Sequence, residues 1–197
     1  MWNSPLLRWG PPFSISGPKN RFFAVGCDTS AVFRGFRGEE EFMTGWLSVC
    51  PNISSVDQNS CTGVGCCQTK IPEGLKNLTV TLHSYYNHTF MWKFNPCSYA
   101  FLVRDGYFNF SGTTSFEQLN NMDQIPLIIN WQIGSETCEV AKKNAVDYAC
   151  KANSTCVNQA KGPYPGYYCQ CLPGYEGNPY IGCRGDLFAD TDVILYL

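Results

Sequence analysis

The chain has 197 residues, room for one large or two modest domains, and its formal net charge of −2 gives no case for a nucleic-acid binder. Its 12 cysteines exceed what a cytosolic chain carries without a metal or redox task, and they suit the staples of a secreted domain. Apolar runs such as IPLII and VILYL stop at about five residues, against the roughly 20 a membrane span needs, so no span is expected.

In chain order, the opening MWNSPLLRWGPPFSIS lacks the apolar stretch of a secretory leader and contains three prolines. A cysteine-rich chain without a leader reads as a fragment of an exported protein. Beyond it, NRFFAVG, NLTVTLHSYY, YAFLV and YFNF alternate or run apolar between Gly, Asn and Pro, which predicts strands. Glu39, Glu40 and Glu41 read as a solvated turn. A short helix or turn is expected around Ser115–Asn121, before the apolar PLIINW. The fold class is mainly β, small and disulfide-rich, with a β-rich cysteine-stapled N-terminal domain ahead of a cysteine module. Residues 1–104 carry a net charge of +3 and residues 105–197 a net of −5.

Catalytic patterns are missing. His83 and His88 lie five apart in a strand-like stretch, not at the i, i+4 spacing of a helical zinc hydrolase, and no Gly-x-Ser-x-Gly elbow occurs. No phosphate loop, His-Arg-Asp loop or Asp-Phe-Gly is present, so the chain is read as a non-enzyme without cofactor or bound metal. Five Asn-x-Ser/Thr sequons, at Asn52, Asn77, Asn87, Asn109 and Asn153, mark candidate N-glycosylation sites. About two would arise by chance from this composition.

The cysteines at 138, 150, 156, 169, 171 and 183 are separated by 11, 5, 12, 1 and 11 residues and end in YYCQCLPGYEGNPYIGC. Gly174 and Gly177 flank Tyr175, which is expected to pack on the sulfurs. Spacing alone leaves 15 pairings open for six cysteines. The order and spacing resemble an epidermal-growth-factor-like repeat, and that resemblance implies Cys138–Cys156, Cys150–Cys169 and Cys171–Cys183. The calcium-binding version of the repeat needs several carboxylates before its first cysteine. Only Glu136 stands in WQIGSET, so no calcium site is expected.

Four further blocks occur in order: NRFFAVGCDTSA, CTGVGCCQTKIPEGL, NPCSYAFLV and PLIINWQIGSETC. With the module they resemble the ectodomain of plant wall-associated receptor-like kinases, over about residues 9–184. The resemblance implies the C-terminal part of a galacturonan-binding domain at 1–110, a connecting segment at 111–134, the repeat at 135–184 and a divergent tail at 185–197. It also implies an extracellular, cell-wall-facing location and pectic polysaccharide or oligogalacturonide as partner, with related receptor ectodomains as a second class. A polyuronate carries one carboxylate per sugar, and Lys19, Arg21, Arg34, Arg37, Lys70 and Lys76 are the cations available to meet it. The family pattern has a cysteine where Trp46 stands, so Cys27 or Cys50 is a candidate free thiol. Cys27, Cys50, Cys61, Cys66, Cys67 and Cys97 are expected to form bridges, with partners left open and vicinal Cys66 and Cys67 not joined to each other.

Overall fold

The computed structural model of the chain describes residues 6–10, 12–37, 39–159 and 165–185. The tail from Asp186 onward lies outside the described residues. Contacts divide the chain into two units after Asn130.

The first unit contains β1 (Leu6–Arg8), β2 (Phe13–Ile15), β3 (Asn20–Val25), β4 (Thr29–Arg37), β5 (Glu40–Ser48), β6 (Cys66–Lys70), β7 (Asn77–His83), β8 (Tyr99–Arg104) and helix α1 (Thr113–Asn120). Strand β9 (Ile129–Trp131) falls at the division. Strand β3 explains the architecture. It lies between β6 and β8, antiparallel to both, and every residue except Arg21 is buried. A strand covered on both faces reads as a continuous apolar run, as NRFFAV does, because side chains alternate between two interiors. Phe22 and Ala24 enter one core with Leu102, where they meet Ala31, Phe33, Leu78 and Val80 of the four-stranded sheet β1-β7-β4-β5. Phe23 and Val25 enter a second core with Val103, Phe108, Phe110, and Phe116 and Leu119 of α1.

Buried Asn20 opens β3 and ties distant chain to it. Its Nδ2 donates to the carbonyls of Ser16 and Ile128, and its Oδ1 accepts from the Ile128 N–H at 2.8 Å. These bonds satisfy a fully buried amide and fix where PLIINW runs.

Several sequence expectations need correction. The YFNF segment is no strand, although Phe108 and Phe110 are buried and Tyr107 and Asn109 exposed. Its alternation is that of an extended chain packed on a core without ladder partners. Glu39 sits in a turn, but Glu40 and Glu41 open β5, and Glu41 pairs with Arg34 across the β4–β5 hairpin. That hairpin has no clean apolar alternation, because Gly35 takes an inward position against Leu75.

Cys27 bridges Cys50, and Cys61 bridges Cys66. The free thiols are Cys67 and Cys97, which corrects their assignment as bridge formers and the candidacy of Cys27 or Cys50. Neighbouring residues of a strand point to opposite faces. Cys66 therefore turns into the core with Cys61, while Cys67 stands opposite Ala24, which offers no sulfur. Cys97 is exposed ahead of β8. Trp46 Nε1 donates to the Gly63 carbonyl at 3.0 Å, anchoring the Cys61–Cys66 loop.

The second unit contains helix α2 (Cys138–Ala141) and strands β10 (Ser154–Asn158), β11 (Tyr167–Cys171), β12 (Tyr175–Asn178) and β13 (Gly182–Gly185). The strands form two antiparallel hairpins, β10–β11 and β12–β13. Bridges join Cys138 to Cys156, Cys150 to Cys169 and Cys171 to Cys183. Tyr175 does not pack on the sulfurs; it is exposed. Buried Tyr167 takes that place, stacked on Tyr148 with its hydroxyl accepting from the Ala149 N–H at 3.1 Å. Tyr180 acts similarly, its hydroxyl accepting from the Cys169 N–H at 3.0 Å.

Candidate functional site

Cations meet at one end of the sheet β6-β3-β8. Register sets Arg21 directly opposite Lys70 on one side of β3, and Asn20 opposite Arg104 on the other. Side chains directly opposite in an antiparallel pair are close neighbours, so Arg21 and Lys70 form a basic ridge. Lys19 joins them through its carbonyl, which accepts from the Asp105 N–H at 2.9 Å. Arg104 places its guanidinium 5.7 Å from the centre of the Tyr107 ring, within reach of a cation–π contact.

Asp105 organises this rim. Arg21 Nε and Nη2 donate to its two carboxylate oxygens at 3.0 and 3.1 Å, the bidentate fork that fixes a guanidinium plane. The hydrogen bonds from Arg21 hold the Asp105 carboxyl below the usual carboxylate range, and Lys70 adds to the effect. The same pairing raises Arg21. A shallow hollow lies on each side of the ridge, one bordered by Gly17, Ile71 and Glu73, the other by Thr62, Gln68 and Asp105. Arg21 and Lys70 line both. The arrangement can offer the Lys70 ammonium and the Arg21 N–H groups that Asp105 leaves over to a chain carrying repeated carboxylates.

Three of the six cations singled out from the sequence thus come together: Lys19, Arg21 and Lys70. Arg34 lies on β4 in the other sheet, 2.9 Å from Glu41. Lys76 has its backbone between Trp9 and Phe36, accepting from the Trp9 N–H and donating to the Phe36 carbonyl. Arg37 ends β4, and its side chain lies outside the described residues. Arg104 and Tyr107 were missed: the β3–β8 register seats Arg104 opposite Asn20, at the same end of the sheet but on the face away from Arg21, and Tyr107 follows it.

A second constellation surrounds buried Asp28, which lies between β3 and β4 and holds the start of the loop after β7. Its carboxylate accepts from the Ser84 hydroxyl and from the N–H groups of Tyr85, Tyr86 and His88. Burial alone would raise its pKa, but these donors outweigh it and hold the carboxyl below the usual range. His88 is placed between Asn95 and Ser98, its Nδ1 3.1 Å from the Asn95 carbonyl and its Nε2 3.2 Å from Ser98 Oγ. The Ser98 hydroxyl is shared with Thr29, and Gly26, at φ +146, leaves only enough space beside it for a glycine. A Cβ there would stand 2.9 Å from Ser98 Oγ and 2.5 Å from Thr29 Oγ1. Ser98 is half-buried, and its hydroxyl ties Thr29 to His88, joining the start of β4 to the segment before β8. His83 lies at the end of β7 against Tyr85. Among the described residues, no group of three or more His, Cys, Asp or Glu gathers to hold a metal ion.

The sequon asparagines differ in setting. Asn52 caps a short 3-10 turn, accepting from Ser55 at 3.1 Å, and Asn77 opens β7 half-buried. Asn87 and Asn109 are exposed. Asn153 is also exposed, and its Nδ2 donates to the Cys183 carbonyl at 3.0 Å.

Residues 58–141 match the wall-associated kinase family model, and no kinase domain is matched. The chain is 41% identical over 167 residues to wall-associated receptor kinase 2 of Arabidopsis thaliana, covering 84% of this chain and 22% of that protein. It is 40% identical over 172 residues to wall-associated receptor kinase 5 of the same plant, covering 85% of this chain and 22% of that protein. The chain thus spans about a fifth of the length of these curated relatives. No solved structure matches it. Among the described residues, no helix is long and apolar enough to cross a membrane. By its 58–141 domain and its identity to these receptors over most of its length, the chain belongs to the wall-associated kinase family.

Proposed function

We propose that the chain is an extracellular binding region that takes pectic polysaccharide, a polymer of galacturonate, at the basic rim of Lys19, Arg21, Lys70 and Arg104. The observation that carries this reading is the ridge of Arg21 and Lys70, cations from two strands held opposite each other with a hollow on either side. Paired cations a strand apart suit an anion that presents carboxylates at regular intervals, and the Tyr107 face beside Arg104 suits the apolar side of a sugar. Asp105 fixes the Arg21 guanidinium plane through Nε and Nη2, which leaves its other N–H groups to a ligand, and Lys70 adds a point charge. In the same reading, the module at 135–184 is an epidermal-growth-factor-like repeat, supported by its first–third, second–fourth and fifth–sixth bridge order. It serves as a spacer, and among its described residues no group of three or more His, Cys, Asp or Glu gathers to hold a cation.

Affinity electrophoresis tests the rim. Oligogalacturonate in the gel is expected to retard the folded chain, with retardation fading as salt rises, because exposed charges are screened within about 8 Å at physiological ionic strength. Retardation no greater than that of the reduced, unfolded chain would remove the site.

A further inference from the structure

The loop after β7 presents four large rings to solvent: Tyr85, Tyr86, Phe90 and Trp92, between 50% (Tyr86) and 74% (Phe90) exposed. Scattered apolar side chains on a surface need no explanation, but a contiguous aromatic group does. Here Tyr86 and Phe90 stand edge to face at 5.8 Å, and Tyr85 packs against His83 beside them. A loose loop does not account for them. Asp28 holds three backbone donors of the segment, those of Tyr85, Tyr86 and His88, the Trp92 N–H reaches the His88 carbonyl at 2.9 Å, and Met91 is buried in a core. The backbone is fixed, and the rings are turned outward from it.

At the centre of this ledge stands Asn87, in the sequon Asn87-His88-Thr89. Asn87 and His88 both adopt left-handed backbone, at φ +52 and +57, which makes a tight outward turn. Asn87 is exposed at its tip, one residue from Tyr86 and three from Phe90. We propose that an N-linked glycan on Asn87 occupies the aromatic ledge, its first N-acetylglucosamine laying its C–H face on the Tyr86–Phe90 pair. In the attachment, Asn87 Nδ2 gives up one proton and bonds to the anomeric carbon of a lipid-diphosphate-linked oligosaccharide. The bond from that carbon to the diphosphate oxygen breaks, and the lipid diphosphate leaves with the electron pair. The sugar is thereby tethered beside the rings, so its effective concentration there is high and weak stacking suffices. This inference rests on the reading of the chain as an exported region, since only exported chains meet that donor.

The full chain, secreted from plant cells behind an added leader, is compared by residue-resolved oxidative footprinting in three forms. These are fully glycosylated, trimmed to one N-acetylglucosamine per site, and stripped. Oxidation of Tyr86 and Phe90 is expected to fall about threefold in both glycan-bearing forms, as for rings going from half-exposed to buried. Oxidation of Trp131, in the other unit, is expected to stay constant. Carriage of glycan at other sequons but not at Asn87 would overturn the inference alone. So would equal oxidation of the two rings with and without the sugar, the result expected if a partner protein covers the ledge instead. Absence of glycan from every sequon would overturn both the inference and the exported reading.

Discussion

Asp28→Ala is expected to lower stability by about 3 kcal/mol or more, a loss of the size seen when a buried charged acceptor with several donors is removed. One carboxylate serves the Ser84 hydroxyl and the N–H groups of Tyr85, Tyr86 and His88, and of these only the His88 N–H has a second acceptor, Ser84 Oγ at 3.2 Å. The loop would keep its donors but lose their shared partner, leaving buried N–H groups unsatisfied. Asp28→Asn should recover part of the loss, since one carboxamide oxygen still accepts while the NH₂ faces donors. Urea unfolding of the three proteins measures this. A cost below about 0.5 kcal/mol for the alanine variant, the ordinary range of a surface substitution, would show the clamp to be unimportant. The pH dependence has a definite sign. The folded carboxyl titrates below its unfolded value, so its contribution is fully present above about pH 4 and is lost as pH falls through the depressed folded value. The wild type should therefore lose stability on acidification below that point more steeply than Asp28→Asn.

The second large effect is expected in the cysteine module. Replacing Cys150 and Cys169 by serine opens a loop with a sequence separation of 19. Chain-entropy arguments put that at about 3 kcal/mol. A module of roughly 45 residues buries too little apolar surface to absorb such a loss. Its core is largely the bridges themselves, with Cys138, Cys150 and Cys169 packed around Ala141 and Tyr167. Hydrogen exchange should report it directly: the Cys169 amide, held by the Tyr180 hydroxyl, and the Cys183 amide, held by the Ala152 carbonyl, should lose protection. Cys97→Ser, at an exposed free thiol, is the matched control and should leave both amides unchanged. Wild-type exchange in the double variant would mean that the hairpins stand without that bridge.

What the sequence made legible follows from how local each signal is. Strand β3 was readable because burial on both faces gives an unbroken apolar run, and β8 for a related reason. NLTVTLHSYY was readable only as far as His83, since Tyr85 and Tyr86 continue the aromatic pattern but are drawn into a loop by Asp28, more than fifty positions earlier. The β4–β5 hairpin was hidden by Gly35, which takes an inward position between apolar neighbours, and by the charges of Arg34, Glu40 and Glu41. The rim was half legible. Residue type pointed to Lys19, Arg21 and Lys70, but equally to Arg34, which the fold sends to a different sheet. Arg104 and Tyr107 carried no local sign of a role; Arg104 reaches that end of the sheet only because β8 runs antiparallel to β3, and Tyr107 follows in the turn after it.

The rim is also the point at which the functional proposal is most exposed to test. Calorimetric titration of oligogalacturonate into the folded chain, beside the variant Lys70→Glu, measures it most directly. Lys70 lines both hollows yet has an exposed position at the end of β6, so charge reversal there should leave the fold intact. The expected result is salt-sensitive binding by the wild type, weakened about tenfold or more in the variant, in keeping with like-charge juxtaposition at a binding surface. Equal affinity in the two proteins, or equal binding of an uncharged oligosaccharide of the same length, would contradict it.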